Sequence, residues 1–289
     1  MKLATFQTPG TRPRIGLVVS DGIVDLSLHL HGSPPADMTS LIEAWPTFRA
    51  QLEFIETNRG ADLPLESASL LAPVPRPGKI LGIGLNYADH LAESGMDRPD
   101  HQLWFAKMPS AIHSPVGTVQ LPKVSALLDY EAELAFVIGK RCRHVPRERA
   151  AEVIFGYCAA NDFSVRDWQL RTSQFMLGKS FDTHAPFGPW IVTADELGNP
   201  HDLGIRCFVN GEKRQDSNTR HLIFDCFEQV AHLSQAMTLE PGDIVMTGTP
   251  GGVGAAFKPP RWLQAGDVVA VDIERIGSIQ HTVVPEADA

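Results

Sequence analysis

The sequence has no hydrophobic run of membrane-spanning length and no run of lysine or arginine. The first absence argues against a transmembrane helix, which needs about 20 apolar residues in succession. The second argues against nucleic acid as a partner, as do 25 basic against 34 acidic residues and a net charge of −9. Cysteine is scarce. Cys142, Cys158, Cys207 and Cys226 form no C-x-x-C pair and read as reduced, mostly buried thiols. H-E-x-x-H and the Walker lysine motif are absent. The opening stretch "MKLATFQTPGTRPR" lacks the apolar core of a signal peptide, so a cytoplasmic protein is the expectation.

What is present is the composition of an ordinary globular protein of 289 residues, 43% hydrophobic and 20% charged. "RIGLVV" and "GIVDLSL" read as short strands joined by a hairpin turn at Ser20-Asp21-Gly22. "DMTSLIEAWPTFRAQLEFIETNRG" reads as helical segments broken or started near Pro46 and ended at Gly60. "LAPVPRPGK", residues 71–79, has three prolines at alternate positions and admits neither helix nor central strand. It divides the chain into a small N-terminal α+β domain, 1–72, and a larger domain, 73–289. Strand patterns dominate the larger part, at 79–83, 115–121, 131–138, 151–160, 189–193, 203–210, 243–249, 268–275 and 278–284. Helical patterns fall at 86–94, 163–170 and 222–237. This order does not alternate, which argues against a Rossmann or α/β-barrel fold and for a β-rich α+β fold. "LEPGDIV" and "LQAGDVV" both read as turns entering strands.

The stretch "DYEAELAFVIGK", residues 129–140, sets the functional question. Glu131 and Glu133 share one face of a strand with Ala135 and Val137, while Ala132, Leu134, Phe136 and Ile138 line the other. A lone E-x-E of this kind belongs at a sheet's margin, in water. Inside the protein, two adjacent carboxylates repel unless a cation lies between them, and hard oxygen ligands suit Mg²⁺, Mn²⁺ or Ca²⁺.

Four further clusters bear on that choice. In "YCAANDFSVRDWQLR", Asp162, Arg166 and Gln169 are spaced for one helical face. Asp162 reads either as a plain N-cap or as a third metal ligand. In "GIGLNYADHLAESG", Tyr87 breaks the G-x-G-x-x-G fingerprint, while His90 and Glu93 stand one turn apart. That pair reads as a surface contact or as a base with its orienting carboxylate. In "LGKSFDTHAPFGPW", Lys179 reads as surface charge or as a fixed cation facing a substrate carboxylate. In "PGDIVMTGTPGGVG", the glycines around Thr249 form either a loose turn or a backbone nest for an anion.

Taken together with "KMPSAI" and "VNGEKRQDSNT", these stretches resemble, in order, the motifs of the fumarylacetoacetate hydrolase family over residues 73–284. The resemblance implies a catalytic domain of mixed, rolled β-sheet behind a small N-terminal α+β domain, a homodimer, and a divalent metal. Mg²⁺ or Mn²⁺ is the implied ion, with Ca²⁺ as a substitute in vitro. Metal ligands then fall on Glu131, Glu133 and Asp162. His90 is implied as the base, Glu93 as its partner and Lys179 as a catalytic cation. Arg166, Gln169, Lys179 and Thr249 match positions that contact substrate, and Thr183 matches a position near the metal. Two residues depart from the pattern: Val165 replaces a small residue, and His184 replaces an aromatic, adding a titratable group expected near the mouth. The loop "GTPGGVG" lacks the carboxylate carried there by the hydrolases of tyrosine breakdown.

By that resemblance the substrate is a small anionic 2-oxo acid, and the reaction is hydrolytic cleavage of a C–C bond in a 2,4-dioxo acid. An acylpyruvate or a 2,4-diketo-3-deoxy sugar acid fits. A metal would act as Lewis acid, and His90 with Glu93 would deprotonate the attacking water. The same enolate chemistry serves isomerases of 2-hydroxydienoates and decarboxylases of oxaloacetate, and ureidoglycolate lyases share the architecture. From other classes, a non-catalytic metal-stabilised scaffold has no need of His90, Glu93 and Lys179, and nucleotide binding lacks its fingerprint. Loop 93–104, "ESGMDRPDHQLW", has the glycine, proline and charges of a lid.

Overall fold

A computed structural model describes residues 1–20, 22–94 and 98–287. Its centre is strand Ala132–Ile138, buried along its whole length. Alternation sends the two sets of side chains into different cores. Ala132, Leu134, Phe136 and Ile138 join one apolar cluster, and Ala135 and Val137 join the other. The strand lies between Ile154–Asn161 and Ile244–Met246, antiparallel to both.

From these three strands the large sheet extends both ways. On one side follow Ala185–Thr193, Lys2–Gln7, Arg14–Val19 and Gly22–Asp25; on the other follow Ile80–Gly84 and Leu103–Lys107. A second, five-stranded sheet runs in the order Glu212–Asn218, Gly204–Val209, Val268–Ile273, Gly277–Pro285 and Val116–Leu121. The fold is β-rich α+β with few helices, as the strand-dominated pattern predicts. Residues 1–72 are tied in by backbone: Lys2–Gln7 pairs with Ala185–Thr193, so one sheet runs across position 72.

Helix Trp45–Asn58 carries Pro46 in its first turn, where no amide bond is lost, and buries Phe48, Leu52 and Ile55 on one stripe against the sheet. Helix Cys226–Ala236 starts where Asp225 accepts from the amides of Phe227 and Glu228, and Glu228 accepts in return from the Asp225 amide. A cap of this kind is worth about 1 kcal/mol. No described helix is long and apolar enough to cross a membrane. The four cysteines are free, and three of them are buried.

One helix expectation fails. In place of a helix over 163–170 the chain forms a two-residue strand, Ser164–Val165, then a single turn, Arg166–Gln169. Ser164–Val165 pairs with Leu128–Asp129, and that pairing overrides the helical spacing. Asp162 caps no helix; its carboxylate has other partners. Strands Leu103–Lys107 and Glu212–Asn218 were not legible in the sequence. The second is polar throughout, and only Gln215 in it is fully buried. Asp21 of the expected hairpin turn and positions 95–97 of the expected lid lie outside the described residues, and the lid's last two residues belong to strand Leu103–Lys107.

Candidate metal centre and substrate cleft

Glu131, Glu133 and Asp162 converge where two adjacent strands end. Glu131 and Glu133 flank Ala132, which pairs with Asn161, and the Asp162 amide donates to the Glu131 carbonyl at 2.9 Å. The Asn161 side chain closes the ladder by accepting from the Glu131 amide at 2.9 Å. This register brings one carboxylate oxygen from each residue within 4.8 Å of the others, all three residues being buried.

The chain's own cations answer two of the three. Lys179 Nζ donates to Glu131 Oε2 at 2.8 Å and to Asp162 Oδ2 at 2.7 Å. Lys107, not singled out in the sequence, is buried and donates to Asp162 Oδ1 and to the Phe163 carbonyl. Arg166 Nη1 donates to Glu131 Oε1 at 2.6 Å. Burial alone would raise the Glu131 carboxyl, but Lys179 and Arg166 pull it down to about 2. Burial lowers Lys107. Lys179 moves up, because Asp162 and Glu131 outweigh its burial.

Glu133 is different. No described lysine or arginine pairs with it; it accepts from the Gly248 amide at 2.7 Å. Burial, then the carboxylates of Asp162 and Glu131, push its proton affinity well above the usual range. A buried carboxyl without a protein cation, beside two other carboxylates, fits a hard divalent cation. Glu131, Glu133 and Asp162 would hold it, with Mg²⁺ or Mn²⁺ as the matching chemistry.

Arg166 is held from behind by Asp129, which carries no signal of its own in the sequence. Asp129, fully buried, accepts from Arg166 Nε at 2.9 Å and Nη2 at 2.8 Å. Its carboxylate also accepts from the amides of Gly254 and Ala255 at 2.7 and 3.0 Å. A β-carbon at Gly254 would lie 2.4 Å from the Arg261 carbonyl, so glycine is required there. Gln169 Oε1 accepts from Arg166 Nη1 at 2.9 Å. Thr249 Oγ1 accepts from Gln215 Nε2 at 2.8 Å, which leaves its own O–H as a donor.

The glycine-rich loop does form a nest, but for the chain's own carboxylates. Gly248 donates to Glu133, Gly252 to Glu93 at 2.9 Å, and Gly254 to Asp129. Gly248, at φ 99°, also packs against Asn86 where a β-carbon would come within 2.8 Å. His90 and Glu93 share the helix Ala88–Ser94, with His90 Nδ1 3.6 Å from Glu93 Oε2. His90, Glu93, Glu131, Arg166, Gln169, Lys179 and Thr249 all line one cleft of about 420 Å³.

Further residues around the site take these places. Thr183 does not line this cleft; its hydroxyl accepts from the Gln120 amide at 3.0 Å. His184 is not a titratable group at the mouth. It is fully buried, its Nε2–H donates to the Gln120 carbonyl at 2.8 Å, and burial pushes it down to about 3, so it stays neutral. The isolated G-x-G at Gly82 serves packing: a β-carbon there would strike the Phe105 ring at 2.4 Å. Val165 is buried, and its amide donates to the Gly178 carbonyl, so it secures the segment carrying Lys179.

Known proteins share this fold. The family model for the C-terminal domain of fumarylacetoacetate hydrolase matches residues 79–284. A protein of Xenopus laevis named as a mitochondrial oxaloacetate tautomerase is 42% identical over 290 residues, covering 98% of this chain and 90% of the relative. The crystal structure of a putative HpcE protein from Mycobacterium smegmatis superposes with a TM-score of 0.89 at 36% identity, covering 99% of this chain and 100% of that one. Maleylpyruvate hydrolase from Sphingobium, crystallised in complex with manganese(II) and pyruvate, superposes with a TM-score of 0.83 at 35% identity over the same shares. By name the relatives include hydrolases, isomerases and tautomerases. The chain belongs to the fumarylacetoacetate hydrolase family.

Proposed function

We propose that this protein interconverts the keto and enol forms of oxaloacetate by metal-assisted proton transfer at C3. The observation that carries the reading is the buried Glu131, Glu133 and Asp162 cluster, whose Glu131 lines the same cleft as the His90–Glu93 pair. Likeness to a tautomerase along nearly the whole chain supports the substrate.

Bound at the three carboxylates, a divalent ion supplies Lewis acidity toward the 2-oxo group, which makes the neighbouring C–H acidic. The chain's residues do the rest. Arg166 and Lys179 put positive charge beside the substrate carboxylate, and Asp129 fixes the angle of the guanidinium. From the keto form His90 accepts the C3 proton and delivers it to the oxygen on C2; from the enol it accepts the hydroxyl proton and delivers it to C3, a role worth about 10²–10⁴ in rate. Glu93, pinned by the Gly252 amide, orients the imidazole. Gln169 and Thr249 offer donors to the oxygen on which negative charge develops.

A second reading is hydrolysis of a 2,4-dioxo acid, favoured by the 35% identity to maleylpyruvate hydrolase. There His90 takes a proton from water, hydroxide adds to C4, and the C3–C4 bond breaks to give a carboxylate and the enol of pyruvate. One experiment separates the two. Protein stripped with EDTA and reloaded with Mg²⁺ or Mn²⁺ is given enol oxaloacetate, then a panel of acylpyruvates. Metal-dependent decay of enol absorbance without pyruvate or CO₂ establishes the tautomerase. Pyruvate and a carboxylate from acylpyruvates, with no acceleration of enol decay, replace it with the hydrolase. CO₂ with pyruvate from oxaloacetate replaces it with a decarboxylase.

A further inference from the structure

The cations deep in the cleft are already matched by carboxylates of the chain. Arg166 is shared among Asp129, Glu131 and Gln169, and Lys179 between Glu131 and Asp162. Lys258 lines the same cleft, is exposed, and pairs with no described carboxylate. Apolar side chains, those of Phe105, Phe175, Leu170 and Val253, also line the cleft. A second carboxylate on a substrate chelated at the acidic floor would meet hydrocarbon on those sides, where a lone charge is poorly solvated.

The backbone under Lys258 is anchored at both ends. Before it, Gly252 donates to Glu93, and Gly254 and Ala255 donate to Asp129. After it, the Arg261 amide donates to the Gly254 carbonyl at 2.9 Å. Phe257 lies under two guanidinium groups, those of Arg214 at 5.3 Å and Arg261 at 5.2 Å. Two prolines, Pro259 and Pro260, stiffen the arch. A flexible lysine is thus mounted on a fixed rim, which reduces the ordering cost of binding.

We propose that Lys258 selects substrates of this cleft by pairing with the distal carboxylate of a short 2-oxo dicarboxylate. The inference rests on the reading of the cleft as a 2-oxo acid site. It deepens that reading: a monocarboxylic acid of the same length leaves Lys258 without a partner.

The test is calorimetric titration of the Mg²⁺-loaded protein with L-malate and with 2-hydroxybutyrate, which carries a methyl where malate carries its distal carboxylate. Wild-type protein is expected to bind malate at least tenfold more tightly. Lys258→Met is expected to weaken malate binding tenfold and to leave 2-hydroxybutyrate within twofold, while Lys258→Arg keeps the preference. Thermal unfolding of each variant confirms that the exposed substitution leaves the fold intact. Equal loss for both acids, or no loss for malate, overturns the proposal. The oxaloacetate assay separates it from the reaction assigned above. A malate preference that vanishes in Lys258→Met, in a protein that does not tautomerise oxaloacetate, overturns the reaction and leaves the selectivity standing. Intact tautomerisation with an unchanged malate preference in Lys258→Met does the reverse.

Discussion

Lys179 and Asp162 form a buried ion pair, Nζ to Oδ2 at 2.7 Å, and the same aspartate is a candidate metal ligand. Its other oxygen is held by Lys107. These two lysines compensate the Asp162 carboxylate from the protein's side. Lys107→Met removes one of them and leaves Asp162 short of a partner. Breaking a buried pair costs about 3–5 kcal/mol. The variant is therefore expected to melt well below wild type in EDTA, and to regain part of that loss in Mg²⁺. Calorimetric scans with and without metal check this: a gain from Mg²⁺ no larger than in wild type refutes it.

Glu133→Gln keeps the acceptor for the Gly248 amide and removes a carboxyl that burial and its neighbours disfavour in the charged form. Without metal the variant is expected to melt at or above wild type. With metal it loses the stabilisation that binding supplies, about 2.7 kcal/mol at a hundredfold excess over Kd. Manganese titration followed by electron paramagnetic resonance measures the affinity directly. Undiminished binding would remove Glu133 from the ligand set.

His90→Asn is expected to lower turnover about 10²–10⁴-fold while the metal still binds, since His90 is not part of the carboxylate cluster. Glu93→Gln is expected to have a smaller effect, because the amide oxygen still accepts from Gly252. Steady-state rates beside metal titrations decide this. A loss of metal affinity parallel to the loss of rate would assign His90 to the metal instead.

Sensitivity to acid follows from a buried histidine. His281, 1% exposed, donates from Nε2 to the Ser114 carbonyl at 2.8 Å, and burial holds it down to about 4. Unfolded, an imidazole titrates near 6.5. Below that pH the unfolded chain takes up a proton that the folded chain refuses. The stability is complete above pH 6.5 and is lost as pH falls from 6.5 to about 4, by about 3 kcal/mol. His184, lowered to about 3, acts in the same direction. His281→Gln keeps a donor for Ser114 and is expected to flatten the acid limb of a plot of melting temperature against pH. An unchanged slope contradicts the assignment.

Much of this protein is legible in its sequence. The two-residue period of 131–138 assigned its side chains to two faces, and those faces proved to be two separate cores. Polar segments gave no such signal. Gln215, which joins Thr249 to the backbone of Ala132, sits in a strand without an apolar residue to mark its inward face. Asp129, the first residue of "DYEAELAFVIGK", carries no such signal either, because a lone aspartate before a strand reads as a turn residue.

The sequence by itself determined the alternation of faces, the turns and the kinds of donor atom present, because each depends on residues a few positions apart. Tertiary structure decided which cation meets which carboxylate. Lys107 reaches Asp162 across 55 positions, and Glu131 meets Lys179 across 48. It also turned the expected helix at 163–170 into a strand and a single turn, and buried His184 instead of placing it at the mouth. Such outcomes depend on strand register and on desolvation, which arise only when distant segments pack and exclude water.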